Sequence, residues 1–304
     1  MIICPRRSVL YMPGSNARAI DKARTLPVDA VILDLEDAVA PEAKDQARKQ
    51  VMEAVAAGFG PREVIVRINS IGTEWWLEDV NAAAKALPNA ILVPKVWGPE
   101  QLEHVAERLV DVSADHKIRV WAMMETPLAI LNARDIAAIA KDIETRLTCL
   151  VMGTNDLAKD TRASIAPGRE ALRPWLMTCV AAARAYGLDI IDGVFNSIDD
   201  AEGFARECAE GREMGFDGKT IIHPNQIDAC NAAFSPSPEE VAQARKIIAA
   251  FERPEQRGKA VIAIDGRMVE RMHAEMALRT VAIAEAIETH AREARQPPER
   301  SRNS

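Results

Sequence analysis

The chain has 304 residues, enough to bury a full core as one large α/β barrel with an appendage or as two smaller domains. It is 48% hydrophobic and 27% charged, ordinary for a globular protein, and its formal charge of −7 argues against nucleic-acid or anionic-membrane partners while leaving room for a phosphate-bearing ligand on a local basic cluster. No apolar run reaches the ~20 residues that span a bilayer. The opening Met1-Ile2-Ile3-Cys4-Pro5-Arg6-Arg7 lacks the order of a signal peptide. The five cysteines are scattered, with no zinc-like pair, and read as free thiols in a reducing, cytoplasmic setting.

Along the chain, short apolar runs alternate with longer amphipathic ones. The pattern predicts strands at residues 8–12, 30–35, 63–68, 90–96, 117–124, 148–153, 188–194 and 220–223. Several, such as Val31-Ile32-Leu33 and Val64-Ile65-Val66, are apolar throughout, as strands covered on both faces should be. Helices are predicted between them at 17–25, 41–57, 74–86, 99–110, 128–142, 169–186, 199–214 and 225–234, many opening on a cap, proline or acid. Eight strand–helix units over the first 235 residues have the rhythm of a (β/α)₈ TIM barrel. A doubly wound sheet is the competing fold, but only Pro13-Gly14-Ser15-Asn16 follows the first strand where a dinucleotide fingerprint would stand.

After Phe234 the composition changes. Ser235-Pro236-Ser237-Pro238 breaks the chain, and a helix is predicted at 239–251. A turn-rich stretch, a short apolar run at 260–264 and Asp265-Gly266-Arg267 lead into a long helix reaching about residue 294. Residues 236–294 are therefore expected to form a C-terminal helical extension beyond a barrel of residues 1–235. The charged, proline-bearing residues 295–304 are expected to be disordered.

The candidate site lies where strands end, because a parallel barrel gathers those ends at one mouth. Glu125 and Asp156 each stand where an apolar run stops, and an acidic pair so placed is an oxygen-ligand set for a hard divalent cation. Arg67 closes the third strand and suits a carboxylate or enolate through two parallel hydrogen bonds. Asp34, Glu36 and Asp37 close the second; three acids together repel unless a cation neutralises them, so they are expected to hold metal waters and orient Arg67. The tight turn at Pro13, Gly14 and Ser15 enters a helix carrying Arg18 and Lys22, a phosphate seat or an ordinary capped helix. Lys95 has the position of a Schiff-base lysine, but the metal-suited acids and arginine favour substrate binding over a covalent role. His223, followed by Pro224, is expected to be structural or to line a ligand.

Taken in order, these segments resemble the HpcH/HpaI aldolase and citrate lyase superfamily, in its citrate lyase β-subunit-like branch. The motifs are Leu10-Tyr11-Met12-Pro13-Gly14-Ser15-Asn16, Asp34-Leu35-Glu36-Asp37-Ala38-Val39, Val66-Arg67-Ile68-Asn69, Pro94-Lys95-Val96 and Met124-Glu125-Thr126-Pro127. Gly153-Thr154-Asn155-Asp156-Leu157-Ala158, Gly218-Lys219-Thr220-Ile221-Ile222-His223-Pro224 and Asp265-Gly266-Arg267-Met268 follow. The resemblance implies a TIM barrel binding Mg²⁺ (Mn²⁺ as a substitute) through Glu125 and Asp156, with Arg67 on the substrate acid or thioester. It implies a C-terminal lid that carries Asp265 into a neighbouring subunit's site, within a homotrimer or a dimer of trimers. Tyr11, Pro127, Gly153, Thr154 and Asn155 join the substrate- and CoA-binding candidates on the same ground. After Asp265 the chain departs from the family's usual lid, reading Val269-Glu270-Arg271-Met272 where an acid and a proline are usual.

The expected reaction is cleavage of a 3-hydroxyacyl-CoA (malyl-, citramalyl- or citryl-CoA) to an acyl-CoA and a 2-oxo acid, with Arg67 stabilising the enolate and Asp265 protonating it. Glu36 and Asp37 stand beside them as catalytic candidates. Hydrolysis of malyl-CoA is the first alternative. A citrate lyase β subunit working on an acyl-carrier-protein thioester, a CoA-free pyruvate aldolase and a non-catalytic CoA-binding barrel are the others.

Overall fold

The computed structural model describes residues 4–256 and 258–295 and divides into two compact units, Arg6–Phe234 and the residues from Ser235 onward together with the N-terminal five. The first unit runs β1 (Ser8–Pro13), α1 (Ala17–Ala23), β2 (Ala30–Asp34), α2 (Lys44–Ala57), β3 (Glu63–Arg67), α3 (Trp76–Ala86), β4 (Ala90–Val93) and α4 (Pro99–Asp111). It continues with β5 (Arg119–Met124), α5 (Pro127–Leu131), α6 (Ala133–Ala138), β6 (Leu147–Met152), α7 (Thr154–Thr161), α8 (Arg173–Ala185), β7 (Asp189–Asp192), α9 (Ala201–Met214), β8 (Gly218–Ile221) and α10 (Ile227–Ala233). Each strand pairs in parallel with the next, and β8 returns to β1, closing an eight-stranded barrel. All eight predicted strands are present.

Alternation along the strands sorts the core into two layers. Inward residues, among them Val9, Ile32, Ile65, Leu92, Trp121, Met123 and Val151, fill the barrel. Outward residues such as Leu10, Val31, Val66, Val93 and Leu150 pack beneath the helices. The end away from the strand C-termini is closed by Arg6. Its guanidinium makes two 2.7 Å bonds to Glu63 and one of 2.5 Å to Asp189, and lies over the Trp121 ring at 4.8 Å.

The helix predicted at 128–142 is two short helices, α5 and α6, broken at Asn132. That residue leaves helical geometry (φ −100°, ψ 12°), and its side-chain amide donates to the Trp97 carbonyl at 2.7 Å. A local side-chain bond competes with the helical ladder in this way. The short helix α7 is additional to the eight predicted.

The C-terminal unit contains α11 (Pro238–Glu252), a two-stranded antiparallel hairpin of β9 (Val261–Ile264) and β10 (Arg267–Glu270), and α12 (Arg271–Arg295). Ser237 caps α11 reciprocally with Glu240. Ile262, Ile264 and Val269 pack against Ile247, Ala250 and Phe251 of α11. The extension expected to be helical thus carries a hairpin. Its turn is Asp265-Gly266, both at positive φ (49° and 75°), the pair that the tightest hairpin turn selects. The tail expected to be disordered lies outside the described residues, apart from Arg295 at the end of α12. Cys149, Cys179, Cys208 and Cys230 are buried free thiols, and Cys4 is exposed. Among the described residues no helix is long and apolar enough to cross a membrane.

Candidate active site

At the C-terminal ends of the strands a cavity of about 410 Å³ opens, lined by Tyr11, Pro13, Asp34, Asp37, Ala38, Arg67, Met123, Glu125, Met152, Gly153, Thr154, Asn155, Asp156, Val194 and Ile222. Ten of the residues singled out in the sequence line it; Ala38, Met123, Met152, Val194 and Ile222 complete the wall.

Arg67 is the last residue of β3, in register with Asp34 at the end of β2. That pairing lets its Nε and Nη2 donate to the two Asp34 carboxylate oxygens, each at 2.6 Å. Burial opposes both charges, yet each partner holds the other charged: Arg67 keeps Asp34 below the usual carboxylate range, and Asp34 keeps Arg67 above its own. Asp34 also accepts from the Glu36 and Ala38 amides, so its orientation is fixed from three sides. The free edge of the guanidinium, Nη1, is 3.3 Å from Glu36 and 3.6 Å from the Met123 sulfur, and the group lies over the Tyr11 ring at 5.1 Å. Glu36 is buried behind Arg67, accepts from Ser70 Oγ at 2.5 Å, and is raised by burial.

Glu125 follows β5 directly and is almost fully buried. Its Oε1 accepts the Lys95 amide at 2.6 Å, while Oε2 is buried without a hydrogen-bond partner. Burial pushes this carboxyl up to about 8. Gly153 stands against it, and a Cβ there would lie 2.5 Å from Oε2. Asp156 sits in the first turn of α7, part-exposed. Lys95 Nζ reaches it at 2.6 Å, with Asp37 at 3.3 Å and Glu125 Oε1 at 3.8 Å. Although burial works against it, the surrounding carboxylates, Glu125 foremost, hold this ammonium well above its usual range.

An orphaned carboxylate oxygen on Glu125 and a part-exposed carboxylate on Asp156 fit a hard divalent cation. Among the described residues no group of three or more His, Cys, Asp or Glu side chains is set to hold a metal. Two carboxylates are the number with which Mg²⁺, keeping waters and substrate oxygens, is commonly held.

The remaining predicted residues lie elsewhere. The Gly14 amide donates to the Asp34 carbonyl at 2.8 Å, and a Cβ there would come within 2.5 Å of that oxygen. Gly14 thus serves the close approach of β1 to β2, and its amide is already spent. Asn16 caps α1, and Ser15, Arg18 and Lys22 are exposed outside the cavity wall. Pro127 begins α5 behind Glu125. His223 is exposed, its Nδ1 accepting from the Asn225 amide as the cap of a 3₁₀ turn that begins at Pro224. Ile222, one residue earlier, lines the cavity instead. Asp265 belongs to the C-terminal unit, where it pairs with Lys246. Of the three acids expected to orient Arg67, Asp34 makes the two-bond contact, Glu36 lies 3.3 Å from Nη1, and Asp37 turns instead to Lys95.

The sequence pattern of the HpcH/HpaI aldolase/citrate lyase family matches residues 7–224. A (3S)-malyl-CoA thioesterase of Cereibacter sphaeroides is 49% identical over 284 residues, 93% of this chain and 96% of that protein. The human mitochondrial citramalyl-CoA lyase is 32% identical over 93% of this chain and 86% of that one. Among solved structures, the CitE protein of Mycobacterium tuberculosis in complex with magnesium, acetoacetate and coenzyme A superposes with a TM-score of 0.72 at 31% identity, covering 91% of this chain and 97% of that one.

Proposed function

Because the chain belongs to the HpcH/HpaI aldolase/citrate lyase family, we propose that it is a Mg²⁺-dependent enzyme of malyl-type CoA thioesters whose net reaction is hydrolysis of (3S)-malyl-CoA to malate and free CoA. One observation carries the choice of outcome. Identity is 49% to a protein named for that hydrolysis and 32% to one named for citramalyl-CoA cleavage, each over 93% of the chain.

The cavity supports the substrate class. A malyl group carries a carboxylate beside a hydroxyl at one end and a thioester at the other. Glu125 and Asp156 would hold the cation; Mg²⁺ there supplies positive charge for the carboxylate and lowers the pKa of the neighbouring hydroxyl. Arg67, fixed by Asp34 and lining the cavity, would meet the negative charge that gathers on the thioester oxygen. A preorganised donor of that kind contributes roughly 3–4 kcal/mol to the barrier. The apolar wall of Met123, Met152, Val194 and Ile222 keeps the thioester carbon out of bulk water. Arg18 and Lys22, exposed on α1 beyond Pro13, are the cations nearest in sequence for the CoA phosphates.

In hydrolysis, water adds to the thioester carbon, the C–S bond breaks, and the departing thiolate takes up the proton. The second reading is carbon–carbon cleavage to acetyl-CoA and glyoxylate, in which Arg67 meets the same charge on the enolate oxygen. Asp265 favours it: an acid at a sharp hairpin turn, at the position from which the family's lid delivers a proton, and on this reading the lid serves a neighbouring subunit in a trimer or dimer of trimers. Product analysis decides between them. Protein, Mg²⁺ and (3S)-malyl-CoA should give malate and free thiol in equal amounts. Glyoxylate with acetyl-CoA and no thiol would replace hydrolysis by the lyase reaction, and no turnover of malyl-, citramalyl- or citryl-CoA would remove both.

A further inference from the structure

Lys95 is the residue whose geometry the proposed reaction leaves unexplained. It follows β4 and Pro94 in the left-handed region (φ 52°), a conformation a lysine adopts only where its surroundings impose it. Two contacts do so. The strained backbone aims its N–H at Glu125 Oε1 (2.6 Å), leaving Oε2 as the unpaired oxygen. The side chain then lays its ammonium within 4 Å of three carboxylates, with its short contact at 2.6 Å to Asp156 and longer ones to Asp37 and Glu125.

The charge balance gives this arrangement a purpose. Asp34, Glu36, Asp37, Glu125 and Asp156 are five carboxylates in one mouth, and Arg67 is committed to Asp34 and Glu36. Lys44 is taken up by the Leu35 and Glu36 carbonyls, and Lys95 is the cation that pairs with the other three acids. The Lys95 ammonium stands between the two carboxylates that fit a divalent cation, 2.6 Å from Asp156 and 3.8 Å from Glu125, and its side chain is 31% exposed to solvent.

We infer that Lys95 is the site's built-in counter-ion: its ammonium holds Glu125 and Asp156 together in the metal-free protein, and an entering divalent cation displaces it from Asp156. This rests on the metal reading proposed above and adds a positioning role for a residue expected only to bind substrate. Removing the charge should leave the acid pair without its competitor. The Lys95→Met variant should therefore bind Mn²⁺ about tenfold more tightly than the wild type, since a unit charge a few ångströms from a dication is worth at least a factor of ten even in a high-dielectric medium. Lys95→Arg, which keeps the charge, should stay near the wild type.

The test is titration of metal-free protein with Mn²⁺, following the free ion by electron paramagnetic resonance. Equal or weaker binding by Lys95→Met than by a wild type that does bind Mn²⁺ would overturn the inference and leave the metal reading standing, as would Lys95→Arg binding as tightly as Lys95→Met. No binding by either wild type or Lys95→Met would overturn both. Should the methionine variant not fold, the wild type still decides. Amine acetylation read by mass spectrometry should modify Lys95 several-fold more in the presence of Mg²⁺, and unchanged or reduced labelling would contradict displacement.

Discussion

Glu125 is a carboxyl whose burial raises it to about 8 from an ordinary 4.5. Between those values the folded protein binds a proton that the unfolded chain has released, so this group's contribution to stability is greatest at low pH and is lost as pH rises from about 4.5 to about 8. Metal-free protein should therefore lose stability across that window. Glu125→Gln should flatten the slope, and so should Mg²⁺, which neutralises the carboxylate by another route. Urea midpoints at about pH 5 and about pH 9 for both proteins check this; an equal slope in the glutamine variant would show that Glu125 is not the group responsible. The acids and the arginine were legible from the sequence because each ends an apolar run. Which oxygen meets which donor was not: Arg67 with Asp34, and Lys95 with Asp156, are set by strand register and a left-handed backbone, and these involve residues 33 and 61 apart.

At the scale of elements, the strands were legible because burial on both faces makes them apolar throughout. Six of the eight were overrun at their C-terminal ends by one to three residues for the same reason. Leu35, Ile68 and Val96 are fully buried just beyond β2, β3 and β4, and hydrophobicity cannot tell a buried loop from the strand it continues. The hairpin signal was present in Val261-Ile262-Ala263-Ile264, where only Ile262 and Ile264 are buried, followed by Asp-Gly. Two predictions belong here. Gly153→Ala places a methyl 2.5 Å from Glu125 Oε2. It should cost about 1–3 kcal/mol in chemical denaturation and weaken Mg²⁺ binding, because α7 and the end of β5 cannot both keep their places. Asp265→Asn keeps a residue that tolerates the left-handed turn while removing the acid. Unchanged thermal stability with a large loss of turnover would assign Asp265 to the chemistry, whereas full activity would confine it to the turn.

For the whole molecule, a closed parallel barrel separates stability from chemistry by placing them at opposite ends. Arg6 closes the end away from the cavity, bonded to Glu63 and Asp189 and stacked on Trp121. Arg6→Ala leaves two carboxylates buried or half-buried without their cation and should cost roughly 3–5 kcal/mol. Its kcat and KM at a temperature where the variant is folded should match the wild type, and a change in either would mean that the two ends are coupled. The repeating βα rhythm made the barrel legible, whereas the C-terminal unit has no such repeat and showed only its helices. The measurement that bears most directly on the account is malate and thiol release from (3S)-malyl-CoA by metal-stripped protein, with and without added Mg²⁺, in wild type and Glu125→Gln. Stoichiometric malate and thiol are expected from the wild type only when Mg²⁺ is present, and none from Glu125→Gln; metal-independent release, or release by Glu125→Gln at the wild-type rate, would contradict a metal-dependent hydrolysis.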